Sequence, residues 1–183
     1  FADAVSNPFD VNNALITIAV QDFDGSGPEW PITPVITYFD NGWGVNGFYG
    51  PRDLASSSPL DFPLFSGNIL GENRLNDTGN GNGTSGFARL NFDAVTVTGF
   101  TDVKIIFDWQ VSGYSQNRND VRYRVFINGT GQSAVVLFDG NNAPTEGSGR
   151  VVIDIPDGTD TVDFYIEQRN WLNTAYSAFD NFR

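Results

Sequence analysis

The feature that most constrains the fold is a period-two alternation of apolar and polar residues, repeated in short runs. Ile105, Phe107, Trp109 and Val111 form one such face, with Lys104, Asp108 and Gln110 opposite. Val121, Tyr123, Val125 and Ile127 repeat it against Arg122 and Arg124; Val151, Ile153 and Ile155 do so again. Val162, Phe164 and Ile166 alternate with Asp163, Tyr165 and Glu167, while Leu90 with Phe92 and Val95 with Val97 give two shorter cases. Successive side chains of a strand point to opposite sides, so each run is a half-buried strand needing a second apolar layer. No segment sustains a helical period.

The runs are separated by turn chemistry. Asn128-Gly129-Thr130-Gly131 reads as a hairpin, Asp157-Gly158 as another between the Val151 and Val162 strands, and Asp139-Gly140 opens a loop to Gly149. Many short strands at regular spacing predict an all-β fold: an antiparallel two-sheet β-sandwich of the jelly-roll type. At 183 residues the chain fits one domain, spanning 1–183. The N-terminal third is less regular. Ala14 to Val20 (ALITIAV) is apolar on both faces and predicts either a central strand or one buried by a neighbour. Residues 1–20 are thus the candidate for an exchanged or interface strand. Six prolines between Gly25 and Pro63 mark long loops of the kind that carry function or wrap a sandwich.

The chemistry available is narrow. Histidine and cysteine are absent, and Lys104 is the only lysine. No Ser-His-Asp or Cys-His arrangement and no imidazole or thiolate metal site can be built. Paired carboxylates remain, but nothing marks one pair among 22 acidic residues as special, so the expectation is that the protein is not an enzyme. A net charge of −12 repels phosphate backbones and anionic lipid, arguing against nucleic-acid binding and membrane association, and it suits divalent cations. No apolar run reaches the roughly 20 residues that span a bilayer. The lack of cysteine and methionine fits a secreted bacterial protein.

Five short motifs occur in order: Asp22-Phe23-Asp24-Gly25-Ser26-Gly27, Gly47-Phe48-Tyr49-Gly50-Pro51-Arg52-Asp53, Phe100-Thr101-Asp102-Val103-Lys104-Ile105, Asn119-Asp120-Val121 and Ala178-Phe179-Asp180-Asn181-Phe182. Together, from Asp22 to Arg183, the chain resembles the jelly-roll, carbohydrate-binding-module-like accessory domains of secreted and surface proteins of environmental bacteria. The resemblance implies a non-enzymatic extracellular or cell-surface sandwich, often calcium-stabilised, that works in carbohydrate binding, adhesion or surface assembly. The chain departs from that pattern after Trp109, where Ser112 to Arg118 replaces the usual acidic loop.

Two sets of residues follow as candidate sites. Asp22, Asp24, Ser26 and Glu29 have the hard-oxygen spacing of a calcium loop, without the twelve-residue frame of an EF-hand. A second calcium set, drawn mainly from the resemblance, combines Asp77, Asn119 or Asp120, and Asp180. Trp30, Trp43, Tyr49, Tyr114 and Trp171 lie in Gly- and Asn-rich contexts and are expected to form an exposed platform on which sugar rings stack. Trp109, in phase with Ile105 and Phe107, is expected in the core. The leading expectation is a subunit that works in adhesion or self-assembly, such as a surface filament or layer, with copies of itself as partners. The alternative is a module docking on an extracellular polysaccharide.

Overall fold

A computed structural model describes residues 15–25, 27–76, 85–116, 119–141 and 145–183. Twelve strands make two antiparallel sheets. The first contains β1 (Ile32–Pro34), β5 (Ala88–Thr96), β11 (Thr161–Arg169), β7 (Asp120–Ile127) and β8 (Thr130–Gly131) in that order, with β9 (Val135–Asp139) also on β7. The second runs β10 (Gly147–Asp154), β6 (Lys104–Ser112), β12 (Tyr176–Asp180), β4 (Asn68–Asn73), β3 (Phe48–Asp53), β2 (Phe39–Asp40). This is the two-layer jelly-roll sandwich that the alternation predicts. A short 3-10 turn at Leu54–Ser56 is the only helical element among the described residues, and among those residues no helix is long and apolar enough to cross a membrane.

The apolar phases meet between the layers. Ile105, Phe107 and Val111 of β6 are buried, as are Val121 and Val125 of β7 and Val162, Phe164 and Ile166 of β11. Phenylalanines form the centre: Phe92 stacks on Phe164 at 4.2 Å between centroids, and Phe107 on Phe182 at 5.3 Å. Trp109 packs against this cluster, half-buried.

The two short apolar pairs, Leu90 with Phe92 and Val95 with Val97, change phase because they belong together. Leu90, Phe92 and Val95 lie along β5 and Val97 just past its end, and Val95 pairs with Val162 but Phe92 with Phe164. One extra residue on β5 is the signature of a β-bulge, which restores the inward direction after a phase slip. Trp30 Nε1 donates to the Asp93 carbonyl at this irregularity (2.7 Å).

Turn chemistry is realised unevenly. Asn128 and Gly129 both have positive φ (50° and 72°), the twist that joins β7 to β8 as a tight hairpin. Asp157-Gly158 does form a turn, but the hairpin expectation fails there. Its flanking strands, β10 and β11, belong to opposite sheets, so the turn carries the chain across the sandwich. Residues 1–14 of the expected exchanged strand lie outside the described residues, and the described part of ALITIAV, from Leu15 to Val20, is not a central strand. Only Val20 and Gln21 make bridges, to Glu29 and Phe182, while Leu15 and Ile16 are 93% and 72% exposed.

The outer faces of the two sheets differ. The second is roofed by the chain's own 54–67 segment: Leu60 and Phe65 pack on Ile69 and Ala178, with Trp43, Phe62 and Tyr176 around them. Gln110 fastens this roof by accepting from the Asp61 and Phe62 amides (2.9 Å each). No described segment covers the corresponding face of the first sheet in this way.

Candidate functional site

On the open face, the polar phases of β5, β7 and β11 come into register. Glu167 lies opposite Arg89 on one side and Arg122 on the other, and Arg169 lies opposite Asp120. The ten basic residues of the chain are one lysine and nine arginines. Four of those nine, Arg89, Arg122, Arg124 and Arg169, stand on this face together with Asp120, Asp139, Asp163 and Glu167.

The network is tightly held. Glu167, 3% exposed, accepts from Arg89 through Nε (2.9 Å) and a terminal nitrogen (2.6 Å), and from Arg122 Nε at 2.5 Å. A carboxylate shielded from water needs such partners, and two guanidiniums supply them. Arg122 also lies over the Phe87 ring at 3.8 Å, and Arg169 over the same ring at 4.7 Å. Arg169 Nε donates to Asp120 at 2.5 Å. Arg89 covers Tyr165 at 3.9 Å, so that ring is buried under a guanidinium instead of facing solvent.

Of these residues Phe87, Asp120, Arg122 and Arg169, joined by Val136, Asp139 and Asn141, line a cleft of roughly 360 Å³. Burial pushes the Asp120 carboxyl above the usual carboxylate range, Arg169 pulls it down, and the nearby Asp139 carboxylate raises it. Asp139 accepts from the Asn141 amide (2.9 Å), which fixes the turn at the rim. The cleft offers guanidinium donors, carboxylate acceptors, an amide side chain and an aromatic floor, the mixture that grips a polyhydroxylated ring. Sequence reading placed Arg122, Arg124, Asp163 and Glu167 on outward phases but did not join them. Cross-strand register is the missing datum.

The expected aromatic platform is not assembled. Trp30 (3% exposed), Tyr49 (1%) and Tyr114 (0%) are core residues. Trp30 packs on Phe92 and Phe164 at 5.3 and 5.1 Å. Tyr49 points inward from β3 against Tyr38, and the Tyr114 hydroxyl donates to buried Glu72. Gly- and Asn-rich context thus does not keep these rings at the surface: each turns into the interior and closes it. Trp43 is half-buried on the roofed sheet, 5.0 Å from Tyr176 with Arg52 at 4.8 Å, and its Nε1 donates to the Ser58 carbonyl. Trp171 is also half-buried, and its amide donates to Asn119 Oδ1 (3.1 Å), beside the Asp120 end of the cleft. It alone of the five adjoins the open face.

The metal candidates are regrouped. Ser26 and Asp77 lie outside the described residues. Asp22 accepts from the Asp24 and Gly25 amides, closing a turn, and Glu29 is exposed. Asp120 belongs to the open sheet and Asp180 to the roofed one, so these two are not brought together. Asp24 instead approaches Asp180 across the 66–68 loop: it accepts from Asn68 (2.9 and 2.8 Å), while Asp180 accepts from the Ser66 and Asn181 amides. Gly67 permits this, with φ of 58° and no room for a Cβ, which would stand 2.0 Å from Asp24 Oδ2. Burial pushes the Asp180 carboxyl up to about 7, and the charges of Asp24 and Asp108 add to that rise. Among the described residues no group of three or more acidic side chains is arranged to hold a metal ion.

No protein-family model matches the chain, and no curated protein matches it. Solved structures similar in strand arrangement include TmCBM61 in complex with beta-1,4-galactotriose, with 11% identity, 88% of each chain covered and a TM-score of 0.42. Another is the K1 cleaved adhesin domain of Lys-gingipain from Porphyromonas gingivalis W83, with 13% identity, 82% of this chain and 96% of that one covered and a TM-score of 0.41. A third is a family 16 carbohydrate-binding module, with 14% identity, 80% and 98% covered and a TM-score of 0.37.

Proposed function

We propose that this is a non-catalytic extracellular module that holds a saccharide in the Phe87–Arg122–Arg169 cleft of its open sheet. The observation that carries the reading is the contrast between the two outer faces. One is roofed by the chain itself, whereas the other presents strand-mounted donors and acceptors already fixed by their neighbours. Pre-positioned groups lose little conformational freedom on binding, which suits a weakly anchored, hydroxyl-rich ligand. A non-catalytic role is supported by Glu167 and Asp120, each tied to arginine and thus poorly placed to accept a proton from substrate.

Affinity electrophoresis through soluble polysaccharides, preceded by a glycan array, tests this. Asp139→Ala and Asn141→Ala are expected to weaken retardation about tenfold each, whereas Trp43→Ala leaves it unchanged. The opposite pattern, or no retained glycan, would sink the proposal.

Self-assembly is favoured by a separate observation. Exposed Leu15 and Ile16 lie beside an apolar groove of roughly 430 Å³ that Val97, Phe100 and Val103 also line. Apolar side chains of that size left in water favour burial against another copy. Size exclusion at high concentration is expected to show oligomers that Leu15→Asp dissolves; a monomer throughout would dismiss this role.

Calcium is the cation that best suits Asp24 and Asp180, two carboxylates whose mutual repulsion a hard divalent ion would relieve. Excess chelator is then expected to lower the Tm, and Asp180→Asn to abolish that shift.

A further inference from the structure

Arg122 is bound through one nitrogen only. Its Nε is taken by Glu167, a carboxylate it shares with Arg89, and its guanidinium carbon lies over the Phe87 ring, 3.8 Å from the centroid. Its two terminal nitrogens have no hydrogen-bond partner among the described residues, although the side chain lines the cleft. Two guanidiniums on one carboxylate leave a surplus positive charge at this point. At the other end of the cleft, Asp120 and Asp139 supply acceptors.

We infer that the ligand is an acidic saccharide, whose carboxylate or sulfate is taken by the terminal nitrogens of Arg122 while neighbouring sugar hydroxyls donate to Asp139. This rests on the cleft being the saccharide site. A planar guanidinium fork held by its third nitrogen is pre-aimed for an oxyanion, and its orientation costs no entropy on binding. The anion completes the pairing that Glu167 leaves half-made. Four of the chain's ten basic residues gather on this face, although the chain as a whole carries a net charge of −12. A polyanion can therefore approach this face without meeting the repulsion that surrounds it.

The test is titration calorimetry against matched pairs: polygalacturonate and its fully methyl-esterified form, a sulfated galactan and its desulfated form, and neutral β-galactan. The acidic member of a pair is expected to bind at least tenfold more tightly than its uncharged counterpart. That preference should weaken as ionic strength rises from about 0.05 to about 0.5 M. Preference for the uronate or for the sulfate arm identifies the anion. Arg122→Gln should erase the acidic preference, and Arg122→Lys should restore it only in part, because a point charge lacks the fork. Arg89 still pairs Glu167 in both variants, and unchanged tryptophan emission checks that they fold. Equal binding of charged and uncharged members, or an Arg122→Gln variant that keeps its preference, overturns the inference and leaves the saccharide site standing. Failure of every glycan to bind removes both.

Discussion

Glu72 offers the sharpest test of the interior. It is fully buried, facing Tyr49 across β3 and Ser177 across β12, and one oxygen accepts from Tyr114, Ser177 (2.6 Å) and Asn170 (3.3 Å). Its other oxygen has no partner among the described residues. Burial raises its pKa from the ordinary 4.5 to about 7, against the lowering effect of the three hydrogen bonds. An acid with a raised folded-state pKa is protonated in the fold over a range where the unfolded chain has already lost its proton. Stability from this group is therefore full below pH 4.5 and is lost as pH rises towards 7. The gap, at about 1.36 kcal/mol per pH unit, is worth about 3 kcal/mol. Glu72→Gln removes the titration and keeps the shape. Urea unfolding of both proteins between pH 5 and pH 8 separates this slope from any constant cost of the amide. Because pH 5 already lies inside the window, the wild type should lose about 2 to 3 kcal/mol more than the variant over that interval. Parallel stability curves would refute the reasoning.

Phe164→Ala removes a ring stacked at once on Phe92 and Phe107, and thermal or urea unfolding should show a loss of about 3–5 kcal/mol. Gly113→Ala should be at least as harmful as a loop change can be, about 2 kcal/mol or more by the same assay, because φ is 73° and the new Cβ would meet the Thr174 carbonyl oxygen at 2.0 Å. A double-mutant cycle of Arg89→Ala and Arg122→Ala should be non-additive by about 1–3 kcal/mol in stability, since the pair shares one buried carboxylate.

Much of the fold is written in single strands. The faces of β6, β7 and β11 follow from alternation alone, and the Asn128-Gly129 hairpin from two residues able to take positive φ. The bulge in β5 is legible too, as the phase change between Phe92 and Val95. Trp30, Tyr49 and Tyr114 were misread because residue context gives the local backbone and not which way a loop crosses the core. The Asp24–Asp180 approach joins residues far apart in the chain through Gly67, and no short motif contains it.

Period two fixes which residues of a strand share a side, a consequence of backbone geometry that operates over a few residues. It is silent on which strand lies alongside and on what covers the remaining side. The chain by itself thus settled that two apolar layers must face each other and that ordinary nucleophile-histidine chemistry is excluded. Only the assembled sandwich decided that residues 54–67 cap one sheet while Arg89, Glu167 and Arg122 meet on the other, because those contacts depend on cross-strand register, which sequence-local forces do not set.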